Sequence, residues 1–169
     1  MKQGLKLDRI LIAVEESAYS EKAWLYGYHL AVLLKAKVGL VHVLEPPAIP
    51  TYVGNMVVGE APNIMADLMT MQEESTKALF DRISKRMSDQ VQIYTFVKMG
   101  NVKSEILDLA EEWKADLIIL GTHGRTGIDH FIAGSIAEGV ARKAHCPVLI
   151  IPTQKNKKAP NENPELPKI

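Results

Sequence analysis

Four small residues in the second half of the chain have types and a spacing suited to binding an anion. Gly121, Gly124, Gly134 and Ser135 form a G-x2-G-x9-G-S run that begins where the apolar stretch 116–120 ends. An apolar run bounded by glycines is typical of a buried parallel strand, and the residues that follow have the spacing of an amphipathic helix. The first N–H groups of a helix have no intrahelical acceptor and the helix dipole is positive there, so phosphate binds well. The pattern predicts a strand, a glycine loop and a helix that together bind phosphate.

The spacing excludes the two best-known phosphate loops. The P-loop pattern G-x-x-x-x-G-K-[ST] requires a lysine before the hydroxyl residue, but Gly134 precedes Ser135 here, and no G-x-G-x-x-G follows the first predicted strand. Two glycines alone favour an ordinary turn, and a lone serine favours an ordinary helix cap. The complete spacing favours a nucleotide-binding loop over both.

At these residues the chain resembles the universal stress protein family, whose ATP-binding members carry G-x2-G-x9-G-[ST] after the fourth strand. The glycine run is followed by CPVLII at 146–151, which is the last predicted strand. The similarity extends to ILIAV at 10–14 and VHV at 41–43, so it covers roughly residues 9–152. The resemblance implies a cytosolic, ATP-binding protein of α/β fold.

The residues of the glycine run take roles that follow from their geometry. Gly121 and Gly124 allow a backbone with positive φ and a close approach to the ribose and the first phosphates. Gly134 and Ser135 open the last helix, so Ser135 is predicted to be both its N-cap and a phosphate ligand. Arg125 lies inside the loop, where it either pairs with phosphate or faces the solvent.

The resemblance implies how the nucleoside half of the site is built. Ala13, Val43 and Leu120 would form the adenine pocket, partly through main-chain groups that recognise the base edge. The first and fourth strands are neighbours in the family, so the loops at their carboxyl ends converge where the winding of the sheet reverses.

An acidic residue after the first strand completes the implied site. The family usually has aspartate here, which contacts the ribose or adenine side of the nucleotide, whereas this chain has Glu15 followed by Glu16. The added negative charge weakens ATP binding unless a metal ion or Arg125 offsets it. ATP, with or without Mg²⁺, is the predicted ligand. The candidate nucleotide-binding residues are Ala13, Glu15, Val43, Leu120, Gly121, Gly124, Arg125, Gly134, Ser135 and Ile136.

Strands and helices must alternate along the chain to position these loops. Apolar, β-branched or alternating stretches predict strands over 10–14, 38–44, 91–97, 116–120 and 147–151, with four helices between them. A long loop rich in proline and glycine is predicted over 45–63, and a long helix from Ile64. The predicted inward face of that helix consists of Leu68, Met71, Ser75, Leu79 and Ile83.

Repeated strand–helix–strand units predict a doubly wound, mostly parallel sheet with helices on both faces. The resemblance implies five strands in the order 3-2-1-4-5. Residues 1–152 are expected to form a single nucleotide-binding domain of the universal-stress-protein type. Residues 153–169 hold three of the nine prolines and a lysine cluster with little to bury, so a disordered tail is predicted.

Composition excludes several classes of partner. Lysine plus arginine equal aspartate plus glutamate at 20 each, so no net charge favours nucleic acid or an anionic membrane, and the apolar runs are too short to cross a bilayer. The single Cys146 cannot form an internal disulfide and is predicted to be inert, and no secretory signal is recognisable, so a cytoplasmic location is expected. His123 and His130 lack a third ligand at motif spacing, so no metal site is predicted. His42, within an apolar strand, is predicted to be structural or solvated.

The sequence supports ATP binding better than it supports ATP hydrolysis. Phosphoryl transfer needs metal ions, a positioned nucleophile and cationic stabilisation, and the loop offers Arg125 but no P-loop lysine, so slow ATP hydrolysis is the most we expect. The leading hypothesis is a stress-response protein whose nucleotide occupancy alters its conformation or an unknown protein partner. The alternative is an interaction module that binds no nucleotide, as in the branch of the family that lacks the glycine motif. A nucleotide-dependent ligase or an electron-transfer-flavoprotein-like chain is a more distant reading of the same sheet.

The last predicted strand, 147–151, favours a homodimer. In the topology that this chain resembles, the strand lies at a sheet edge, and an exposed apolar edge pairs readily with another chain. Pro147 and Pro152 cannot donate ladder hydrogen bonds, which limits the pairing to a few residues. Antiparallel pairing of the same strand about a two-fold axis closes such an assembly.

Overall fold

The computed structural model describes residues 6–16, 20–46, 61–87, 90–122 and 134–152, with the backbone alone over 61–65. In these ranges five strands alternate with four helices. The strands are β1 (Arg9–Ala13), β2 (Lys37–Leu44), β3 (Ile93–Met99), β4 (Leu117–Gly121) and β5 (Val148–Ile151). The helices are α1 (Ser20–Leu34), α2 (Ala61–Arg86), α3 (Val102–Glu112) and α4 (Ser135–Lys143).

The five strands form one parallel sheet in the order β3-β2-β1-β4-β5. The central strand β1 is apolar after Arg9 because both faces of its middle residues are covered, and Ile12 pairs with Leu40 of β2 on one side and with Ile119 of β4 on the other. The chain winds from β1 to β3 in one direction and then returns to β4 and β5 on the far side of β1. The predicted fold class, strand order and helices on both faces are confirmed.

One hydrophobic core lies on each face of the sheet because side chains alternate between the faces along a strand. Ile10 and Ile12 of β1 pack with α1 and α2, whereas Leu11 between them packs with α3 and α4. All three side chains are fully buried. The helices are therefore held by β1 and its neighbours at the centre of the sheet.

Helix α2 differs from its prediction in its start and in its inward face. It begins at Ala61, within the predicted loop 45–63, and Pro62 is tolerated because the first turn needs no N–H donor. Leu79 and Ile83 are buried as predicted, but Leu68 and Met71 are exposed. A helix of 26 residues is about 39 Å long, whereas the seven residues of β3 span about 23 Å, so the helix outruns the sheet that it covers.

Two further predictions concern the C-terminal tail and membrane-spanning helices. The predicted tail, 153–169, lies outside the described residues. Among the helices that the structure describes, none has the length and apolar character needed to cross a membrane.

Candidate functional site

A cavity of about 320 Å³ opens at the carboxyl ends of β1, β2 and β4. The winding of the sheet reverses between β1 and β4, and in doubly wound sheets ligands bind in the crevice outside the carboxyl ends of the strands at such a point. Eight of the ten predicted binding residues line it, namely Ala13, Glu15, Val43, Leu120, Gly121, Gly134, Ser135 and Ile136. The other two, Gly124 and Arg125, lie outside the described residues.

Backbone hydrogen bonds connect the beginning of the glycine run to its end and to the neighbouring strand. The N–H of Gly134 donates to the carbonyl oxygen of Thr122 at 2.9 Å, and the N–H of Thr122 donates to the carbonyl oxygen of Ile151 on the neighbouring strand at 3.0 Å. A Cβ atom on residue 134 would lie 2.6 Å from the Thr122 carbonyl oxygen, which is too close for any side chain. Only glycine therefore permits this contact, which holds the start of α4 against the end of β4.

The first turn of α4 lines the cavity, but its cap differs from the prediction. Gly134 is the N-cap, with extended backbone at φ −58° and ψ 154°, and its carbonyl oxygen accepts the N–H of Glu138 at 3.0 Å. Ser135 is the first helical residue and its hydroxyl does not cap the helix. The prediction of Ser135 as N-cap is wrong because the bond to Thr122 places residue 134 at the boundary. The N–H groups of Ser135 and Ile136 have no intrahelical acceptor.

The predicted positive φ of Gly121 is also wrong. Gly121 is the last residue of β4 and pairs with Ile151, so its backbone is extended. Among the described glycines, the one with positive φ is Gly100, which links β3 to α3. Gly121 therefore serves the site at the end of a regular strand rather than in a left-handed turn.

Acidic residues line the cavity at the ends of β1 and β2. Glu15 follows β1 and is partly buried, and Glu45 follows β2 and is exposed. No lysine or arginine is found among the described residues of the lining. The cavity therefore combines two carboxylates with the positive N-terminus of α4.

Three buried polar residues of the lining, His42, Ser20 and Thr122, were not among the predicted binding residues. His42 points its Nδ1 at the carbonyl oxygen of Val14 at 2.8 Å, and the hydroxyl of Ser20 accepts the N–H of Glu15 at 3.1 Å. Both side chains are almost fully buried. The signal in the sequence is a lone histidine inside an apolar strand, but its partner is recognisable only once β1 and β2 are paired.

The sequence also predicts that the chain has no metal site and that Cys146 is inert. In the part of the chain that the structure describes, no three His, Cys, Asp or Glu side chains are grouped so as to hold a metal ion. Partial burial raises the pKa of the Cys146 thiol, and the negative charge of Asp116 raises it further. Few of these thiols are ionised at neutral pH, as expected of an unreactive cysteine.

Comparison with known proteins identifies relatives over nearly the whole described region. Residues 6–152 match the universal stress protein family. Universal stress protein MJ0531 of Methanocaldococcus jannaschii is 33% identical over 145 residues, which cover 85% of this chain and 81% of the relative. Universal stress protein YxiE of Bacillus subtilis is 28% identical over 145 residues, which cover 85% of this chain and 98% of the relative.

Solved structures share the same fold. Hypothetical protein MJ0577 of M. jannaschii matches with a TM-score of 0.74 and 24% identity over 89% of this chain and 99% of its own. A universal stress protein in complex with cAMP matches at TM-score 0.61 and 22% identity, over 88% of this chain and 99% of its own. One from Archaeoglobus fulgidus in complex with dAMP matches at TM-score 0.55 and 22% identity, over 86% and 98%. With the family match over residues 6–152, the chain belongs to the universal stress protein family.

Proposed function

We propose that this protein binds ATP in the cavity at the ends of β1 and β4 and serves as a nucleotide-dependent stress-response protein. The observation that carries the proposal is a single cavity that joins the N-terminus of α4 to the apolar ends of three parallel strands. Its volume of about 320 Å³ is within the range of small-molecule sites. A ligand with an anionic group at one end and a flat apolar group at the other suits both the helix N-terminus and the apolar strand ends.

The phosphates fit the N-terminus of α4. Ser135 and Ile136 line the cavity, and their N–H groups are free of intrahelical partners. The close contact between Gly134 and Thr122 keeps the first turn facing the cavity without a side chain in the way. Backbone N–H donors at a helix N-terminus bind phosphate without needing a lysine.

The nucleoside fits between the strand ends. Ala13, Val43 and Leu120 line the cavity with small or branched apolar side chains, against which a base can pack. Glu15 offers acceptors at the end of β1, which suit the hydroxyl groups of a ribose or the amino group of adenine.

The charge of the cavity favours ATP bound with Mg²⁺ over free ATP. Glu15 and Glu45 add negative charge, and the described lining has no lysine or arginine. Mg²⁺ would offset part of the charge of the phosphates, and because it keeps several water ligands it needs no dedicated cluster of protein ligands. Arg125 is the further cation that we propose to pair with phosphate, on its position in the glycine run.

The related structures support this choice of ligand. One universal stress protein was solved with cAMP and another with dAMP. Both ligands contain adenine and a phosphate group, which are the two parts that the cavity suits. A homodimer through β5, an unknown protein partner and a cytoplasmic location stay predictions from the sequence.

Two matched glycine variants, one at the N-cap of α4 and one within the helix, test the proposal by titration calorimetry with MgATP. Gly134→Ala places a Cβ against the Thr122 carbonyl oxygen and must displace the first turn, so we expect ATP binding to weaken by about tenfold or more. Gly139→Ala lies outside the cavity, where its Cβ meets the flexible Lys103 side chain, so we expect wild-type affinity. Equal affinities of the two variants would contradict the proposed phosphate site. No ATP binding by the folded wild type would favour the interaction module that binds no nucleotide.

A further inference from the structure

We propose that His42 and Ser20 are positioning residues that fix Glu15 so that its carboxylate reads the ribose hydroxyls of the nucleotide. The inference deepens the proposed function and rests on it. It concerns the peptide unit between Val14 and Glu15, which follows the last residue of β1. A side chain from a different element contacts this peptide on each side.

The carbonyl side of the peptide is held from β2. His42 Nδ1 lies 2.8 Å from the carbonyl oxygen of Val14. A carbonyl oxygen only accepts, so the Nδ1 atom carries the proton in this bond. The N–H of Val14 also donates to the carbonyl oxygen of Val41 at 2.9 Å, which extends the pairing of β1 with β2 by one step.

The N–H side of the same peptide is held from α1. The N–H of Glu15 donates to the Ser20 hydroxyl at 3.1 Å, and Ser20 is 5% exposed. His42 is 8% exposed and its bond to Val14 is buried, whereas the bond between Glu15 and Ser20 is partly buried. Because its carbonyl and its N–H are both bonded, the peptide plane cannot rotate without breaking a buried hydrogen bond.

We call the hydrogen bonds from His42 and Ser20 to this peptide the clamp. The clamp holds the backbone of Glu15, whose carboxylate is the proposed acceptor for the ribose hydroxyls. Glu15 lines the cavity at the end of β1, whereas the α4 N-terminus that suits phosphate lies beyond β4 in the chain. A carboxylate only accepts hydrogen bonds, so it selects groups that carry hydrogen, such as the ribose hydroxyls. A site built to bond a hydroxyl rejects the analogue that lacks it only if the acceptor is held in place.

The test compares binding of MgATP with binding of its 2′,3′-dideoxy analogue. We expect wild type to prefer ATP by about tenfold or more, and Glu15→Ala to lower that ratio to about one. His42→Leu and Ser20→Ala remove one bond each and should lower the ratio although the Glu15 carboxylate is kept. His42→Asn keeps an N–H donor at the same distance from Cβ as Nδ1, so it should retain the preference.

A double variant separates positioning from general support of the fold. If His42 acts through Glu15, adding His42→Leu to Glu15→Ala should cause no further loss of ATP affinity. Thr76→Val is the matched control, since it removes a buried hydroxyl that bonds to Gln72 within α2, away from the cavity. It should lower the unfolding temperature while leaving the nucleotide preference unchanged.

The outcomes are distinguishable. If His42→Leu and Ser20→Ala fold and keep the wild-type preference, the clamp does not position Glu15 and the inference is overturned. If Glu15→Ala keeps the preference, the carboxylate does not bind the ribose hydroxyls, and the inference is again overturned. Should His42→Leu fail to fold, Ser20→Ala and His42→Asn decide the question. A folded wild type that binds neither nucleotide overturns the proposed function itself, and with it this inference.

Discussion

Gly134 is the residue at which the backbone of the candidate site is most constrained. The spacing of the glycine run predicts a glycine here, and the structure adds the reason, which is the 2.6 Å that would separate a Cβ from the Thr122 carbonyl oxygen. The same spacing misplaces the helix cap by one residue, because the boundary depends on the hydrogen bond between Gly134 and Thr122. Residue types are therefore predictable from a motif, but the contact that each one makes is not.

Cys146 provides a prediction at the same scale. Burial, and then the charge of Asp116, raise the pKa of its thiol, so the thiolate fraction at neutral pH is below that of a free cysteine. We expect iodoacetamide to alkylate the native protein several-fold more slowly than it alkylates the unfolded chain at the same pH. The rate should rise as the pH is raised toward the thiol pKa. Alkylation of the native protein at the unfolded rate would show that the thiol is neither buried nor influenced by Asp116.

Among the elements, β5 has the feature that matters most for assembly. It pairs with β4 on one side and has no neighbour among the described strands on the other. Leu149 is 38% exposed, whereas Ile151 is 5% exposed and belongs to the core beneath α1. The two residues of this apolar strand therefore have different roles, although the sequence alone suggests that they are equivalent.

Lysine substitutions on β5 should separate these roles. If two copies pair through β5, Leu149→Lys places like charges across the two-fold axis, so we expect a folded monomer by sedimentation velocity. Ile151→Lys buries a charge in the core and should lower the free energy of unfolding by about 3–5 kcal/mol in a denaturant titration. A wild-type monomer at tens of micromolar would contradict the dimer. A Leu149→Lys variant that stays dimeric would place the interface elsewhere.

Elements differ in how well their sequence predicts them. The strands and their order were predictable because each buried strand is a short apolar run and the motif order matches a known family. The inward face of α2 was only partly predictable, since Leu68 and Met71 continue the helical spacing beyond the part that covers the sheet. Periodicity indicates which face of a helix is apolar, but it does not indicate how far along the helix the sheet extends. The contact between His42 and Val14 needs the pairing of β1 with β2, so no local pattern predicts it.

For the whole molecule, we expect ATP binding without efficient ATP hydrolysis. The described lining of the cavity has no lysine or arginine to stabilise the charge that develops in phosphoryl transfer. We expect steady-state ATP hydrolysis far below the range of about 1–10³ s⁻¹ that is typical of dedicated enzymes. A rate within that range, lost in Ser135→Ala or Arg125→Ala, would contradict this expectation.

Titration of the isotope-labelled protein with MgATP, followed through its backbone amide resonances, shows whether phosphate binds at the N-terminus of α4. We expect saturable shifts at the N–H groups of Gly134, Ser135 and Ile136, where we propose that phosphate binds, together with a shift at Glu15 at the nucleoside end. The amide of Lys77 on α2, which lines a separate groove against β3, should not move. Unchanged resonances in the first turn of α4 at millimolar MgATP, or shifts confined to the α2 groove, would rule out the proposed phosphate site.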